Sequence, residues 1–385
     1  MAGPAMSHPV RMAILEPAAL IPLGWSEQFA AAFALHQEAA WEPGRAVAVH
    51  RGGTVVRTAG GEVLAGLTRR LRGPGSKDEG RPTVGDWVAM NQPAGDSAVI
   101  EAVLPRSSAL VRTIRTGGRG SKVSPSSRQV LAANMDVAFV VDSFESGPNL
   151  RRLERYLTLA WSSDAQPVVV LNKADLVPGG EAAVAEILQA VMAIAPGVVV
   201  LTSSALSGDG IAAIEAVIGA GRTAVVVGPS GVGKSTIVNQ LLGEVRQATG
   251  HVRLDDGRGR HTTTIRQLFA LPGGGLVIDT PGIRSLELAA DASAIDLAFS
   301  DVAAIAVGCR FADCQHGEEP GCALQAAVRE GCLPAERLAN ALLLEAESRR
   351  RDAEEVVAIR DQRRKGRTVV HAVRQHYQRG PRDGR

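Results

Sequence analysis

Residues 223–236 read TAVVVGPSGVGKST. The first five are apolar or β-branched, enough for a buried strand. The next nine, Gly228, Pro229, Ser230, Gly231, Val232, Gly233, Lys234, Ser235 and Thr236, fit the spacing GxxxxGK[ST]. A strand ending in a tight glycine turn lets backbone N–H groups and the start of the next helix converge on an anion, here a phosphate chain. Lys234 then reaches the terminal phosphates and Ser235 binds Mg²⁺. Outward from this stretch, strands are expected at 137–141, 167–171, 198–201 and 276–278, with helices between them at 150–162 and 181–194. That alternation predicts a mostly parallel sheet covered by helices, with ligands gathered at its carboxyl edge.

Further motifs fall on those strand ends. Asn172-Lys173-Ala174-Asp175 follows the run 168–171 and resembles the NKxD motif of GTPases. A carboxylate at Asp175 can accept the N1–H and 2-amino groups of guanine, a donor pair that adenine lacks, which disfavours an ATPase. Asn172 would brace neighbouring loops and the Lys173 stem would cover the base face. Ser203-Ser204-Ala205, one strand later, matches the SA motif whose backbone, at Ser204 and Ala205, meets the guanine O6. Asp279-Thr280-Pro281-Gly282 fits DxPG: Asp279 would hold Mg²⁺ and the Gly282 N–H would sense the γ-phosphate. Between them, Gly259-Arg260-His261-Thr262-Thr263-Thr264 occupies the switch segment, where one of Thr262, Thr263 and Thr264 is expected on Mg²⁺. The residue after DxPG is Ile283, which cannot orient water, so slow intrinsic hydrolysis is expected. His261 is the alternative water-positioning group, or makes only local contacts. Because NKAD and SA precede the phosphate loop, the domain is read as circularly permuted, with DxPG leading straight into the C-terminal region.

The flanks differ in texture. Short β-prone runs at 46–50, 53–57, 63–67, 86–90 and 98–103 predict a small barrel, most simply of OB type, with an SH3-like barrel as the alternative of similar spacing. Residues 102–135 hold no acidic residue but six basic ones, Arg106, Arg112, Arg115, Arg119, Lys122 and Arg128, and read as a basic loop. Cys309, Cys314, His316 and Cys322 form C-x4-C-x-H-x5-C, a ligand set for a closed, structural Zn²⁺ site, with Cys332 either surplus or a replacement for one member. The last thirty residues carry nine basic and two acidic residues. Basic segments beside a barrel and a zinc module point to RNA, recognised by shape and backbone, since aromatics are only 3% of the chain.

With 385 residues, 45% hydrophobic and 21% charged, the chain has enough apolar material for two or three folded domains. Its longest apolar runs are far short of a membrane span, and its first residues carry no clean signal-peptide pattern. Clustered cysteines argue for metal rather than disulfides. Only five of 42 basic residues are lysine, and two of them, Lys173 and Lys234, sit in the motifs.

These motifs, together with VGDWV (84–88) and LPR (104–106), resemble the small-ribosomal-subunit-dependent GTPase A family, RsgA, also known as YjeQ or EngC. The resemblance implies an OB barrel (44–105), a permuted α/β P-loop GTPase domain (136–288) and an α-rich zinc-binding domain (289–348); the sequence itself sets off a variable lead-in (1–43), a basic linker loop (106–135) and a basic tail (349–385), and the lead-in, Cys332 and the long tail depart from the family pattern. It further implies a cytoplasmic monomer acting late in 30S subunit maturation on 16S rRNA, with subunit-stimulated hydrolysis of GTP to GDP. The competing readings are a permuted GTPase of large-subunit assembly and a nucleotide-gated RNA-binding module with negligible hydrolysis.

Overall fold

A computed structural model describes residues 17–36, 41–50, 52–72, 80–92, 97–115, 126–145, 147–177, 179–243, 266–279, 292–317 and 319–378. A 3-10 turn (Pro17–Leu23) and helix α1 (Glu27–Ala34) precede strands β1 (Trp41–His50), β2 (Gly53–Thr58) and β3 (Gly61–Leu67), helix α2 (Arg69–Arg72), β4 (Trp87–Asn91) and β5 (Val99–Val103). β1 pairs antiparallel with β2 and β4, β2 with β3 and β4 with β5, while β3 and β5 run parallel. The ladder therefore closes in the order 1-2-3-5-4-1, the expected OB barrel. Along β2 half-buried and buried residues alternate, as the two faces of a barrel wall require. Val56, Ala65, Val88, Met90 and Ile100 fill the interior.

The segment expected as a basic loop differs in structure: β6 (Ala109–Arg115) and β7 (Ser126–Ala133) form an antiparallel hairpin. Its base is apolar, with Leu110 and Leu131 in the core. The excess of arginine, glycine and serine hides the β-branched residues Val111, Thr113 and Ile114 in the sequence.

Then come β8 (Val137–Ser143), α3 (Leu150–Trp161), β9 (Gln166–Asn172), α4 (Gly180–Ile194), β10 (Val199–Thr202), α5 (Ile211–Ile218), β11 (Thr223–Val227), α6 (Lys234–Leu242), β12 (Gln267–Ala270) and β13 (Leu276–Asp279). Strand order is β10-β9-β8-β11-β13-β12, all parallel except β12. Alternate β8 residues serve opposite faces: Val137, Phe139 and Val141 pack with α5 and α6, whereas Ala138 and Val140 pack with α3. From β8 the chain winds outward through β9 and β10, then returns to the other side of β8 as β11. That reversal opens a crevice between the carboxyl ends of β8 and β11.

Four C-terminal helices follow: α7 (Ala292–Ala298), α8 (Ser300–Ala306), α9 (Ala323–Arg329) and α10 (Ala335–Gln378). At 44 residues α10 runs about 66 Å. Residues 349–378, expected as part of a separate tail, continue this helix, supported by (i, i+4) pairs such as Arg350–Glu354. Arg337, on its first turns, is buried against α3 and α8. It donates to Glu154 (2.7 Å) and Asp301 (2.6 and 2.5 Å) and lies over the Phe299 ring.

The barrel and the parallel sheet are continuous, because β1 pairs with β12 at Ala48 and Gln267. Arg45, only 1% exposed, locks this junction. Its guanidinium donates to the carbonyls of Leu23, Gly85 (3.3 Å) and Asn134 (3.0 Å) and to Thr223 Oγ1 (2.9 Å), and it faces the Trp87 ring. Burial pushes its pKa down to about 10, against the Asp136 and Asp86 carboxylates, so it stays charged at neutral pH. Trp87 in turn stacks edge-on against Trp25, whose neighbour Phe29 is buried. The lead-in is thus part of the core from Leu20 onward. Arg45→Met should lower the denaturation midpoint, costing roughly 3 kcal/mol, because the buried acceptors lose their donor; a thermal melt of the full chain checks it.

Candidate nucleotide and metal sites

The phosphate-loop sequence does what its glycines predict. β11 is buried throughout, and Gly228, Gly231 and Gly233 adopt φ of +144°, +88° and +96°. Two of them also lack room for a side chain. A Cβ on Gly228 would lie 2.2 Å from the Val141 carbonyl oxygen, and one on Gly233 would lie 2.2 Å from Asn172 Nδ2. Gly233 caps α6, so Lys234, Ser235 and Thr236 form its first turn beside the crevice, where backbone N–H groups have no intrahelical partner. The Lys234 ammonium donates to the carbonyls of Gly228 (2.8 Å) and Pro229, folded over its own loop.

Asn172 ties the motifs together. At the end of β9 it is 2% exposed; its Nδ2 donates to the Val232 carbonyl at 2.8 Å, and its Oδ1 accepts from the Ala205 N–H at 2.9 Å and the Ser203 hydroxyl at 3.1 Å. One amide thus bridges three loops far apart in sequence. Two more bonds reinforce it, Ala174 N–H to the Ser203 carbonyl (3.0 Å) and Gln240 Nε2 to the Ala205 carbonyl (2.9 Å). Lys173 adopts φ +64°, and Asp175 sits exposed on the 3-10 turn Ala174–Leu176. Asp279 ends β13, which pairs in parallel with β11, so it occupies the same sheet edge as Ser235. His261, Thr262, Thr263, Thr264 and Gly282 lie outside the described residues.

Sequence reasoning passed over the carboxyl end of β8. There Asp142, 2% exposed, is gripped by Arg152 of α3 (3.1 and 3.2 Å), and Glu145 forms an ion pair with Lys173. The available signal was an acidic pair, Asp142 and Glu145, straight after the apolar run 137–141, in a sheet whose ligands gather at strand ends.

In the C-terminal region the ligand atoms of Cys309, Cys314, His316 and Cys322 all lie within 4.8 Å of one another. His316 Nδ1 stands 3.6 Å from Cys309 Sγ and 3.8 Å from Cys322 Sγ. A tetrahedral zinc with bonds of about 2.3 Å to sulfur and about 2.05 Å to nitrogen separates those atoms by about 3.6 Å. Cys314 is pushed up to about 11: the His316 N–H lowers it, but burial and the two neighbouring thiols outweigh this. Burial would raise Cys309, yet the N–H groups of Ala323 and Leu324 at the start of α9 hold it below the ordinary thiol range. Thiols so close ionise together only around a cation, so the residues fit zinc. Cys332 is exposed and outside this cluster.

A profile of the RsgA GTPase family matches residues 103–289. A small ribosomal subunit biogenesis GTPase RsgA of Opitutus terrae is 45% identical over 331 residues, 83% of this chain and 87% of its own. Its counterpart in Streptomyces coelicolor is 46% identical over 321 residues, 83% and 84% of the two chains. The chain belongs to the RsgA family. Among solved structures, that of YjeQ from Thermotoga maritima has a TM-score of 0.58 at 26% identity, covering 80% of this chain and 98% of its own. A structure described as YloQ, a circularly permuted GTPase, shares the fold with a TM-score of 0.54 at 23% identity, covering 82% and 98%. Membership of a GTPase family implies a guanine nucleotide and Mg²⁺.

Two outcomes are expected. Asn172→Ala strands the Val232 carbonyl and the Ala205 N–H, and should weaken GDP binding by roughly tenfold or more, as read by a fluorescent GDP analogue. The purified chain should hold one equivalent of zinc by elemental analysis, lost in Cys322→Ala.

Proposed function

We propose that this RsgA-family chain is a GTPase of small ribosomal subunit maturation, binding the 30S particle in its GTP state and hydrolysing GTP there. The observation that carries the nucleotide assignment is the Asn172 amide, which brings residues 172–175, 203–205 and 228–236 to one crevice despite their permuted order. The names of its relatives support the ribosomal role.

In this reading the amides of residues 228–236 and the start of α6 hold the phosphates, and the Lys234 ammonium exchanges its loop carbonyls for phosphate oxygens. Asp175 takes the guanine N1–H and 2-amino groups, while Ser204 and Ala205 meet its O6. Mg²⁺, held by Ser235, Asp279 and one of Thr262, Thr263 and Thr264, would neutralise phosphate charge. Gly282 would sense the γ-phosphate. With Ile283 in place of a water-orienting side chain, hydrolysis is slow alone and accelerated by the subunit, with His261 the residue offered for positioning water. A structural zinc on Cys309, Cys314, His316 and Cys322 would fix the loop between α8 and α9.

We further propose contacts to 16S rRNA through the basic hairpin and C-terminal segments that flank the barrel and the zinc module, and a monomer working in the cytoplasm. No helix among the described residues is long and apolar enough to cross a membrane.

Co-sedimentation with purified 30S and 50S particles tests this. Retention on 30S with a non-hydrolysable GTP analogue but not with GDP, and faster turnover with 30S added, are expected. Equal retention in both nucleotide states removes the switch. Binding without any multiple turnover leaves a nucleotide-gated RNA-binding module instead.

A further inference from the structure

We propose that Glu145 is a positioning residue for the purine: it holds the Lys173 side chain across the face on which the base lies. The inference rests on the nucleotide site proposed above and adds to it a residue from the turn after β8, across the crevice from the phosphate loop.

The turn after β8 is built to present this carboxylate. Asp142 accepts from the Ser143 N–H at 2.9 Å while Arg152 grips it from α3. The Ser143 hydroxyl accepts from the Glu145 N–H at 3.1 Å, and the Phe144 carbonyl accepts from the Gly147 N–H at 3.0 Å. The Phe144 N–H donates to the Asn172 carbonyl at 2.9 Å, so the turn is joined to the backbone just before Lys173. From there Glu145 Oε2 pairs with Lys173 Nζ.

A free lysine stem in water has wide rotamer freedom, and much of it must be given up if four methylenes are to lie flat on a base. Here both ends of the stem are fixed. Its backbone is set in the left-handed region at φ +64°, and its ammonium is tied to Glu145. The stem is ordered before the base arrives, so binding loses less entropy. The same tether accounts for a lysine at position 173 in a chain that otherwise favours arginine: a point ammonium needs one carboxylate, whereas a planar guanidinium would spread over the turn.

The test is a double-mutant cycle on the full chain, read as the dissociation constant of a fluorescent GDP analogue at low salt. Lys173→Met should weaken binding. Glu145→Gln should weaken it by about 2- to 5-fold, the range an exposed ion pair commands, and the charge reversal Glu145→Lys should weaken it further. Glu145→Gln combined with Lys173→Met should equal Lys173→Met alone. High salt should bring the wild type toward Glu145→Gln, an effect that mere packing would not show. On saturating 30S, Glu145→Gln should raise the KM for GTP and leave kcat unchanged. If Lys173→Met weakens binding while Glu145→Gln and Glu145→Lys bind like wild type, or if the two losses simply add, the proposal is wrong. If Lys173→Met itself binds like wild type, the base site has been misplaced and the wider reading fails with it.

Discussion

A single buried carboxamide governs the geometry of the nucleotide crevice. Asn172 Nδ2 and Oδ1 together engage Val232, Ala205 and Ser203, one acceptor and two donors on two loops that they tie to the loop of Asn172 itself. An aspartate there could not donate to the Val232 carbonyl, and an apolar residue could do neither, so both would leave buried polar groups unpaired. The amide also explains a glycine. Gly233 must lack a Cβ because Asn172 Nδ2 would stand 2.2 Å from it, so the phosphate loop and the base loop constrain each other's sequence directly. Permutation leaves this contact untouched. It changes which strand follows which in the chain, while strand order and the edge on which the loops emerge stay fixed by the parallel sheet.

Two buried guanidiniums do the corresponding work between modules. Arg45 reaches carbonyls of the 3-10 turn, the barrel and the link between β7 and β8, and the Thr223 hydroxyl of the sheet; Arg337 reaches Glu154, Asp301 and the carbonyls of Ile194 and Ala298. Replacing a buried ion pair whole, both partners together, by hydrophobic residues of similar volume would often serve net stability as well, whereas removing one partner alone strands the other. What the arginines add is direction. Apolar surfaces slide with little change in free energy, whereas a planar donor fork matched to fixed carbonyls accepts one relative placement of barrel, sheet and C-terminal helices. In Glu154 burial raises the carboxyl pKa, opposed by Asn340 and Arg337, so this acid depends on its partners to remain charged.

The sequence was most legible where a backbone conformation or a ligand dictates residue type. The glycines at 228, 231 and 233, the Asn172–Asp175 stretch and the Cys/His spacing are of that kind, and the short β-prone runs of the barrel were legible as well. It was least legible where partners come from afar. The hairpin at 109–115 and 126–133 has local arginine and serine enough to pass for a loop, and its strand character comes from burial of Leu110 and Leu131 against the rest of the core. β12 is four residues long and exists because β1 and β13 flank it. Nothing local in the lead-in announces that Trp25 meets Trp87 some sixty positions later. The basic composition past residue 349 likewise obscured an α10 that runs on to residue 378.

Helix α3 links the two halves of this picture. Its first turn holds Asp142 through Arg152, beside the turn that carries Glu145; two residues on, Glu154 pairs with Arg337 and Asn340 of α10, and the next residue, Arg155, pairs with Glu347. These contacts fall within four residues of one helix, a span of about 6 Å over which an α-helix does not bend. A rearrangement of the turn after β8 that displaced Asp142 would have to break the Arg152 pair or carry α3 with it. In the second case Glu154 could not move without either dragging α10 or stranding a buried charge, which costs several kcal/mol. The C-terminal helices are therefore joined through α3 to the carboxyl end of β8, as well as along the chain that leaves β13. A permuted domain of this kind has two mechanical connections to the same module, one set by covalent order and one by buried ion pairs.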